Sequence, residues 1–549
     1  MVCVLKLLCA DTHALCVVTS YMVDSVANRS GNMRVQTNRH SLQAFFREFD
    51  AQYASALCQS HLKVLLARKA QFVGTKTLNC ALRFVATSLN KAKMRKLCQE
   101  HVQTILFELT LPLLLITQNE FQLWSENPVE YVRLQVDNSN AWNVKRMDEE
   151  LIKTICNIRQ TRRNKISDYL TNYLQLLVEN LSAPPSEDFR HREALLHAFG
   201  LLSQHMAYSP EYQANAEMMI QQYVFPELES DNAFMKARAC WIYGQFAHFS
   251  FSNEDHLRHA LNSLYQCLLS NDLPVRVNAA VALVKLLDHP AAVEFIRPGL
   301  SDVIRIYLKL IDDIDYDELI TSLKKIVDVF EDEIGPYALD LCSKLGEAFL
   351  RLHEQKRATA GSGQLDLDQE TSLTAEGLMT AIRRILQSIS GRYPDMYAQL
   401  EAVLERPIWT TLNDLFTEST DEGLTCLCEL IYNQPAVSQS MWNFFQLIVQ
   451  SIMEDRGILD TYLPCSFAFI INLMNKEPQS FKTISFPSQQ AGQQPSTPLD
   501  MTLSLGQKSF EIAKEKGDEI WAMTVVTLFN SILENLQGVS QIIPGIIQL

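Results

Sequence analysis

The sequence is poor in the residues that interrupt a helix. Its 549 residues hold only 18 glycines and 19 prolines, fewer than average usage would place there. So few breaks exclude a collagen-like or low-complexity chain and favour many helices joined by short turns. No Cys-x-x-Cys pair occurs among the 13 cysteines, and a single residue separates Cys426 from Cys428. That spacing argues for reduced thiols, mostly buried as small apolar groups, over a disulfide framework or a zinc site. A membrane-spanning run is also missing. The longest apolar stretch, 105–116, contains Glu108 and Pro112 and falls short of the ~20 residues a bilayer requires. The opening stretch, MVCVLKLLCADTHALCVV, has one Lys and is broken by Asp11 and His13, which does not fit a signal peptide. A soluble protein with no membrane insertion is expected.

Bases are outnumbered, 48 against 63 acids, for a net charge of −15. An acidic surface argues against nucleic acid as the main partner, because phosphate binding needs clustered Lys and Arg. It suits basic proteins, whose encounter it would speed, and it also serves plain solubility.

Catalytic, cofactor and metal signatures are equally sparse. Gly361-Ser362-Gly363 lacks the Lys and the preceding strand of a phosphate-binding loop. No Gly-x-Ser-x-Gly elbow occurs. His256 and His259 have the i, i+3 spacing of two ligands on one helix face, but no further ligand stands near them in the sequence. The stretch 313–317, DIDYD, starts like an EF-hand loop and fails at Glu318 and Lys324, where Gly and Glu are required. The run Arg159, Arg162, Arg163 and Lys165 reads as a solvated helix face on an acidic chain. We therefore expect no enzyme, no cofactor and no metal.

What is present is helical periodicity. Leu300, Val303, Ile304, Tyr307, Leu308 and Ile311 fall at i, i+3, i+4, i+7, i+8 and i+11, and Leu378, Ala381, Ile382, Ile385, Leu386 and Ile389 repeat the spacing. The stretch 270–274, SNDLP, reads as a turn opening a helix that Asp288-His289-Pro290 closes. The pattern also repeats internally. Residues 274–287, PVRVNAAVALVKLL, align with 234–247, FMKARACWIYGQFA, placing Arg276 on Lys236, Ala279 on Ala239 and Ala280 on Cys240. Residues 189–197, FRHREALLH, align again, with Arg192 under Arg238. Spacings of about 40–47 residues are those of HEAT and armadillo repeats. Small residues let neighbouring helices approach, and the basic residue after the turn can bond the preceding turn or its acid. One helix pair cannot bury its apolar face alone, so pairs must stack.

The expected fold is all-α, a HEAT/ARM-type helical-repeat solenoid built as a right-handed superhelix of antiparallel helix pairs. It is expected to span 1–549 as one domain, with 1–60 the least defined part. The stretches 357–374 and 482–500, rich in Gly, Ser, Gln and Pro, read as long, mobile surface loops within it, and 134–150 as a third irregular stretch. Asp312, Asp313, Asp315, Asp317 and Glu318 crowd one helix–helix corner, with Asp328, Glu331, Asp332 and Glu333 following. This is a candidate contact for a basic partner segment, or simply a solvated acidic turn.

Three stretches resemble a known family. Leu123-Trp124, Asn127-Pro128 and Glu130-Tyr131-Val132-Arg133 resemble the "LW…(D/N)P.EY(I/V)R" stretch of the importin-β superfamily, nearest its importin-7/importin-8 and CAS-like branch. Ala237-Arg238-Ala239-Cys240-Trp241 is similar to that branch's "RARACW", and Pro274-Val275-Arg276-Val277 with the alanines after it to "PV.V.AA.AL". The resemblance marks Trp124, Tyr131, Arg133, Arg238, Trp241 and Arg276 as structural residues of the repeats. It implies a nuclear transport receptor that shuttles between nucleus and cytoplasm, binding cargo proteins, basic ones above all, and Phe-Gly repeats of pore proteins. It implies linkage to the small GTPase Ran in full-length members. Here the "EYVR" stretch comes at residue 131, earlier than in the family, which reads as a chain lacking the N-terminal repeats and argues against direct Ran binding by this polypeptide. The alternative is a HEAT scaffold subunit of a cytosolic complex without pore interaction.

Overall fold

The computed structural model describes residues 52–68, 70, 72–89, 91–136, 143–158, 169–184, 188–207, 210–314, 316–359, 365–413, 419–453, 459–486, 496–517 and 519–536. Within these the structure is helix upon helix. An isolated bridge between Phe486 and Ser496 is the one β-type pairing among the described residues. The chain divides into two compact units, Met1–Phe295 and Ile296–Leu549.

The main helices of the first unit are α1 (Ala54–Ala67), α2 (Thr75–Ser88), α3 (Gln118–Glu126), α4 (Pro128–Val136), α5 (Val144–Cys156), α6 (Tyr169–Ser182), α7 (Phe189–Leu201), α8 (Ala233–Gln245), α9 (Glu254–Leu268) and α10 (Leu273–Lys285). One layer stacks α2, α5, α7, α8 and α10 in that order. Behind it lie α1, α6, the short helix Phe225–Leu228 and α9, so that α9 packs on both α8 and α10. The three segments aligned in the sequence are α7, α8 and α10, three neighbours in one layer. Their starts are set by local chemistry. Asn232 Oδ1 accepts from the amides of Phe234 (2.9 Å) and Met235 (3.3 Å) at the head of α8, and Asp188 Oδ1 caps α7 through Arg190 N at 3.0 Å. The predicted opening of α10 is found, with Asp272 at the N-cap and Pro274 in the first turn, and a 3-10 turn, Leu286–Asp288, closes it.

Two π-helical turns, Ile105–Thr110 and Ile220–Val224, occur in the rear layer. Each runs into a short helix carrying a proline in its first turn, Pro112 and Pro226. Proline has no N–H and its ring collides with the carbonyl one turn back, and a wider π turn removes both conflicts without ending the helix.

The second unit is more regular. Its helices α11 (Leu300–Asp313), α12 (Asp317–Val329), α13 (Ala338–Thr359), α14 (Leu365–Ser388), α15 (Tyr397–Asn413), α16 (Thr420–Asn433), α17 (Gln439–Met453), α18 (Leu459–Lys476), α19 (Pro498–Lys516) and α20 (Glu519–Asn535) pair in succession. The odd-numbered helices stack on one another, and so do the even-numbered ones. Of the α11 stripe, Leu300, Val303, Ile304, Tyr307 and Ile311 are buried, while Leu308 is half-buried and Leu310 takes its place in the core. Every residue of the Leu378–Ile389 stripe is buried.

The repeat is written into tertiary hydrogen bonds as well as into helix order. The Thr171 and Tyr212 hydroxyls meet at 2.8 Å and those of Ser182 and Tyr223 at 2.6 Å, each pair 41 residues apart. Gln387 donates to Glu429 42 residues on, and Lys476 Nζ reaches back 44 residues to the Tyr432 carbonyl. Each repeat is therefore tied to the next, the pattern of a quasi-one-dimensional fold.

The three irregular stretches expected from composition are shorter in the structure. α13 runs to Thr359 and α14 starts at Leu365, because Gly361, Ser362 and Gly363 are the only strong breakers and the Leu, Gln and Glu that follow are good helix formers. α4 and α5 likewise enter the 134–150 stretch from both ends. In 482–500 the helices stop at Thr483 and resume at Pro498. Residues 1–51, Asp315 and the basic run 159–165 lie outside the described residues.

Candidate functional site

Residues from two of the family-like stretches meet in the first unit. The α3–α4 hairpin starts with a capping box, in which Thr117 Oγ1 accepts from Glu120 N while the Glu120 carboxylate accepts from Thr117 N at 2.8 Å. The hairpin lays Trp124 and Tyr131 against Phe234 of α8. The Trp124 and Phe234 centroids are 4.0 Å apart, and Tyr131 meets Trp124 edge-on at 4.9 Å. Phe121 stacks on Phe234 from one side at 5.4 Å, and Phe189 of α7 approaches at 5.6 Å. Phe234 is thus the hub of an aromatic cluster that joins the hairpin to α7 and α8.

Behind the rings lies a buried line of charge. Arg238 Nε donates to Glu193 Oε1 at 2.6 Å, and the guanidinium lies 4.7 Å from the Trp241 ring centroid. His197 meets the same indole edge-on at 5.2 Å and donates from Nε2 to Glu149 at 3.1 Å. Burial and the Arg238 cation push His197 below the ordinary imidazole range. The neutral ring that results donates from Nε2 and leaves Nδ1 without a partner. Burial alone would raise the Glu149 carboxyl, but the His197 hydrogen bond, with the Lys153 and Arg238 cations nearby, holds it at about 2. Burial, reinforced by the Glu193 carboxylate and opposed by Arg238, pushes the Tyr131 hydroxyl up.

Beside this line, Asp148 is fully buried and neither carboxylate oxygen has a hydrogen-bond partner. Burial, with help from Glu149 and against Arg68 and Lys145, pushes its carboxyl well above the usual carboxylate range. An acid raised on folding contributes stability below its unfolded value and loses it as pH rises through the folded one. Asp148→Asn cannot ionise. It should therefore raise the stability of the first unit at neutral pH by about 1–3 kcal/mol and have little effect near pH 4, as denaturant titrations at the two pH values would show.

The remaining predicted residues fall as follows. Arg133 is on the exposed face of α4, and Arg276 is half-buried in the first turn of α10. In the second unit, Asp312 pairs with Lys344 (3.6 Å) and Arg351 (3.2 Å) of α13. Asp317 accepts a hydrogen bond from Thr374 of α14, and Glu318 one from the Tyr316 hydroxyl at 2.5 Å. Farther along, Asp332 pairs with Arg392 at 2.7 Å and Glu333 with Arg297. The acidic corner thus ties its own helices together, with Asp313 exposed beside it. His256 has its ring 5.0 Å from that of Phe225. Among the described residues no group of three or more His, Cys, Asp or Glu is placed to hold a metal ion, no helix is long and apolar enough to cross a membrane, and none of the ten described cysteines is in a disulfide.

Phe234, Glu193, His197, Glu149 and Gly200, which packs against the Trp241 ring, are parts of this cluster that sequence reasoning missed. Glu193 and His197 had a signal, an i, i+4 polar pair inside a run, 193–201, that is otherwise small or apolar. Phe234 had none beyond its place at the head of a repeat.

Stacked helix pairs, a hydrogen-bond spacing near one repeat, and a motif cluster that clamps successive repeats define a HEAT-type helical-repeat solenoid. Known proteins narrow the class. The Cse1 family model matches residues 45–283. The importin beta-like SAD2 homolog of Arabidopsis thaliana is 27% identical over 446 residues, covering 79% of this chain and 42% of that protein. Importin-8 of Danio rerio is 28% identical over 417 residues, covering 73% and 38%. Among solved structures, the exportin Cse1 in its cargo-free, cytoplasmic state shares the fold at a TM-score of 0.66 and 13% identity, covering 90% of this chain and 52% of its own. Importin beta does so at 0.55 and 11%, covering 97% and 62%. The family model and these relatives together support an importin-β superfamily member. It spans about two fifths of the length of the curated relatives it matches.

Proposed function

We propose that this chain acts as a nuclear transport receptor, carrying protein cargo between cytoplasm and nucleus by binding the cargo and the Phe-Gly repeats of pore proteins, with no catalytic step. The observation that carries the reading is the convergence of two of the family-like stretches on one cluster, Trp124, Tyr131, Arg238 and Trp241, in a fold of stacked helix pairs. Regular stacking repeats the shallow groove between neighbouring helices, and repeated weak grooves suit a repeated weak ligand, since linked sites gain affinity through effective concentration.

Basic cargo is proposed to contact the acidic corner at Asp312, Asp313, Asp315, Asp317 and Glu318. The ion pairs of Asp312 with Lys344 and Arg351 are solvent-exposed. Exposed pairs contribute only about 0–1 kcal/mol each, so cargo Lys and Arg could replace them cheaply.

The test is retention of the full chain on immobilised Phe-Gly repeat peptide, with a Ser-Gly version of the same peptide as control. Retention on the first alone is expected. No retention on either, together with stable co-purification in a fixed cytosolic complex, would replace this reading with a scaffold.

A further inference from the structure

The first described helices carry charge opposite to that of the chain as a whole. Residues 51–99 contain nine Lys and Arg and no Asp or Glu, in a protein of net charge −15. They fold as α1, α2 and the short helix Ala92–Cys98. Lys63, Lys76, Lys91, Lys93 and Lys96 are exposed there, and Arg68 is half-buried. Screening confines a charge's reach to about 8–10 Å at physiological salt. A ligand arriving at this surface therefore meets its local bases, not the acids elsewhere.

Where the chain passes from α1 into α2, at one end of this basic surface, lies an open groove of 630 Å³. Val73, Leu78, Leu113 and Val144 wall it, and Arg68 and Phe72 flank it. Phe72 is 93% exposed, so its ring stands uncovered beside the groove. Gly74, at the N-cap of α2, offers no side chain to the first-turn amides, which adds positive potential at the same edge.

We propose that this groove docks an acidic peptide segment of a partner protein. An aromatic or branched aliphatic side chain enters the apolar walls against Phe72, and flanking Asp or Glu residues reach Arg68 and Lys76. Charge complementarity selects the occupant: aliphatic side chains share the lining with Arg68 and Thr75, and the rim is basic in a stretch of sequence, 51–99, without a single acid. A nucleic acid would use the bases but leave the aliphatic walls unfilled, and one exposed ring is not a stacking platform for successive nucleotides.

Fluorescence anisotropy on the full chain tests this with a labelled peptide in which a Leu-Phe pair is flanked by glutamates. The same peptide with Ser-Ser in place of Leu-Phe and a single-stranded oligonucleotide serve as comparators. Binding of the Leu-Phe peptide should weaken with added salt. Phe72→Ser and the double charge reversal Arg68→Glu/Lys76→Glu should each weaken it by at least about tenfold. Lys309→Glu, on exposed α11 surface, should leave it unchanged. Phe72 is too exposed for its loss to unfold the protein, so that variant reads binding alone. No binding, equal binding of the Ser-Ser peptide, or tighter binding of the oligonucleotide would overturn the proposal. None of these outcomes depends on Phe-Gly binding, so the two readings fail separately.

Discussion

Arg238→Ala should destabilise the first unit by about 3–5 kcal/mol, because it leaves a carboxylate buried without its counter-charge. Glu193 is 2% exposed, its Oε1 is held by Arg238, and its Oε2 has no other partner. The guanidinium also lies over Trp241, so truncation removes packing from the face of the indole. Arg238→Lys keeps the charge but loses the planar donor and should fall between the two. Replacing both partners with apolar residues, Arg238→Met with Glu193→Leu, should recover most of the loss, because the desolvation cost disappears along with the attraction. Urea denaturation followed by far-UV circular dichroism measures this, with the transition of the first unit fitted separately if the two units unfold apart. A loss under 1 kcal/mol for Arg238→Ala would mean that water reaches Glu193.

The second large effect is steric. A Cβ at Gly200 would lie 2.2 Å from Cζ3 of Trp241, far inside contact distance. Gly200 is buried on α7 and Trp241 is half-buried on α8, so the indole can yield only by parting the two helices or abandoning His197 and Arg238. Gly200→Ala should cost about 1–3 kcal/mol or more. Trp241→Leu should be better tolerated in the Gly200→Ala background than in the native chain, and a double-mutant cycle reads that coupling directly. Equal costs in the two backgrounds would separate Gly200 from Trp241.

These residues show what could and could not be read from the sequence. The fold was legible because its signals are local and periodic. The stripes of α11 and α14 reach the core almost as spaced, and the three aligned segments are stacked neighbours. The irregular stretches were overextended: helix runs to Thr359 and from Leu365, inside the stretch read as 357–374. The motif residues were legible as a pattern but not as a cluster. Trp124 and Phe234 are 110 positions apart, and no period of about 40 residues links them. The acidic corner was seen as charge, but its intramolecular partners Lys344, Arg351 and Thr374 come from later helices that only the stacking brings near. Nor does the sequence show that Asp148 is buried with both oxygens unpartnered, since an Asp in Met-Asp-Glu-Glu looks solvated.

Passage through the nuclear pore is the most direct test. The fluorescently labelled 62.5 kDa chain would be added to permeabilised cells beside an inert protein of similar mass. The account predicts that it concentrates at the nuclear rim, enters nuclei faster than the inert protein, and is slowed by free Phe-Gly peptide. Exclusion at the rate of the inert protein, unchanged by that peptide, would contradict it.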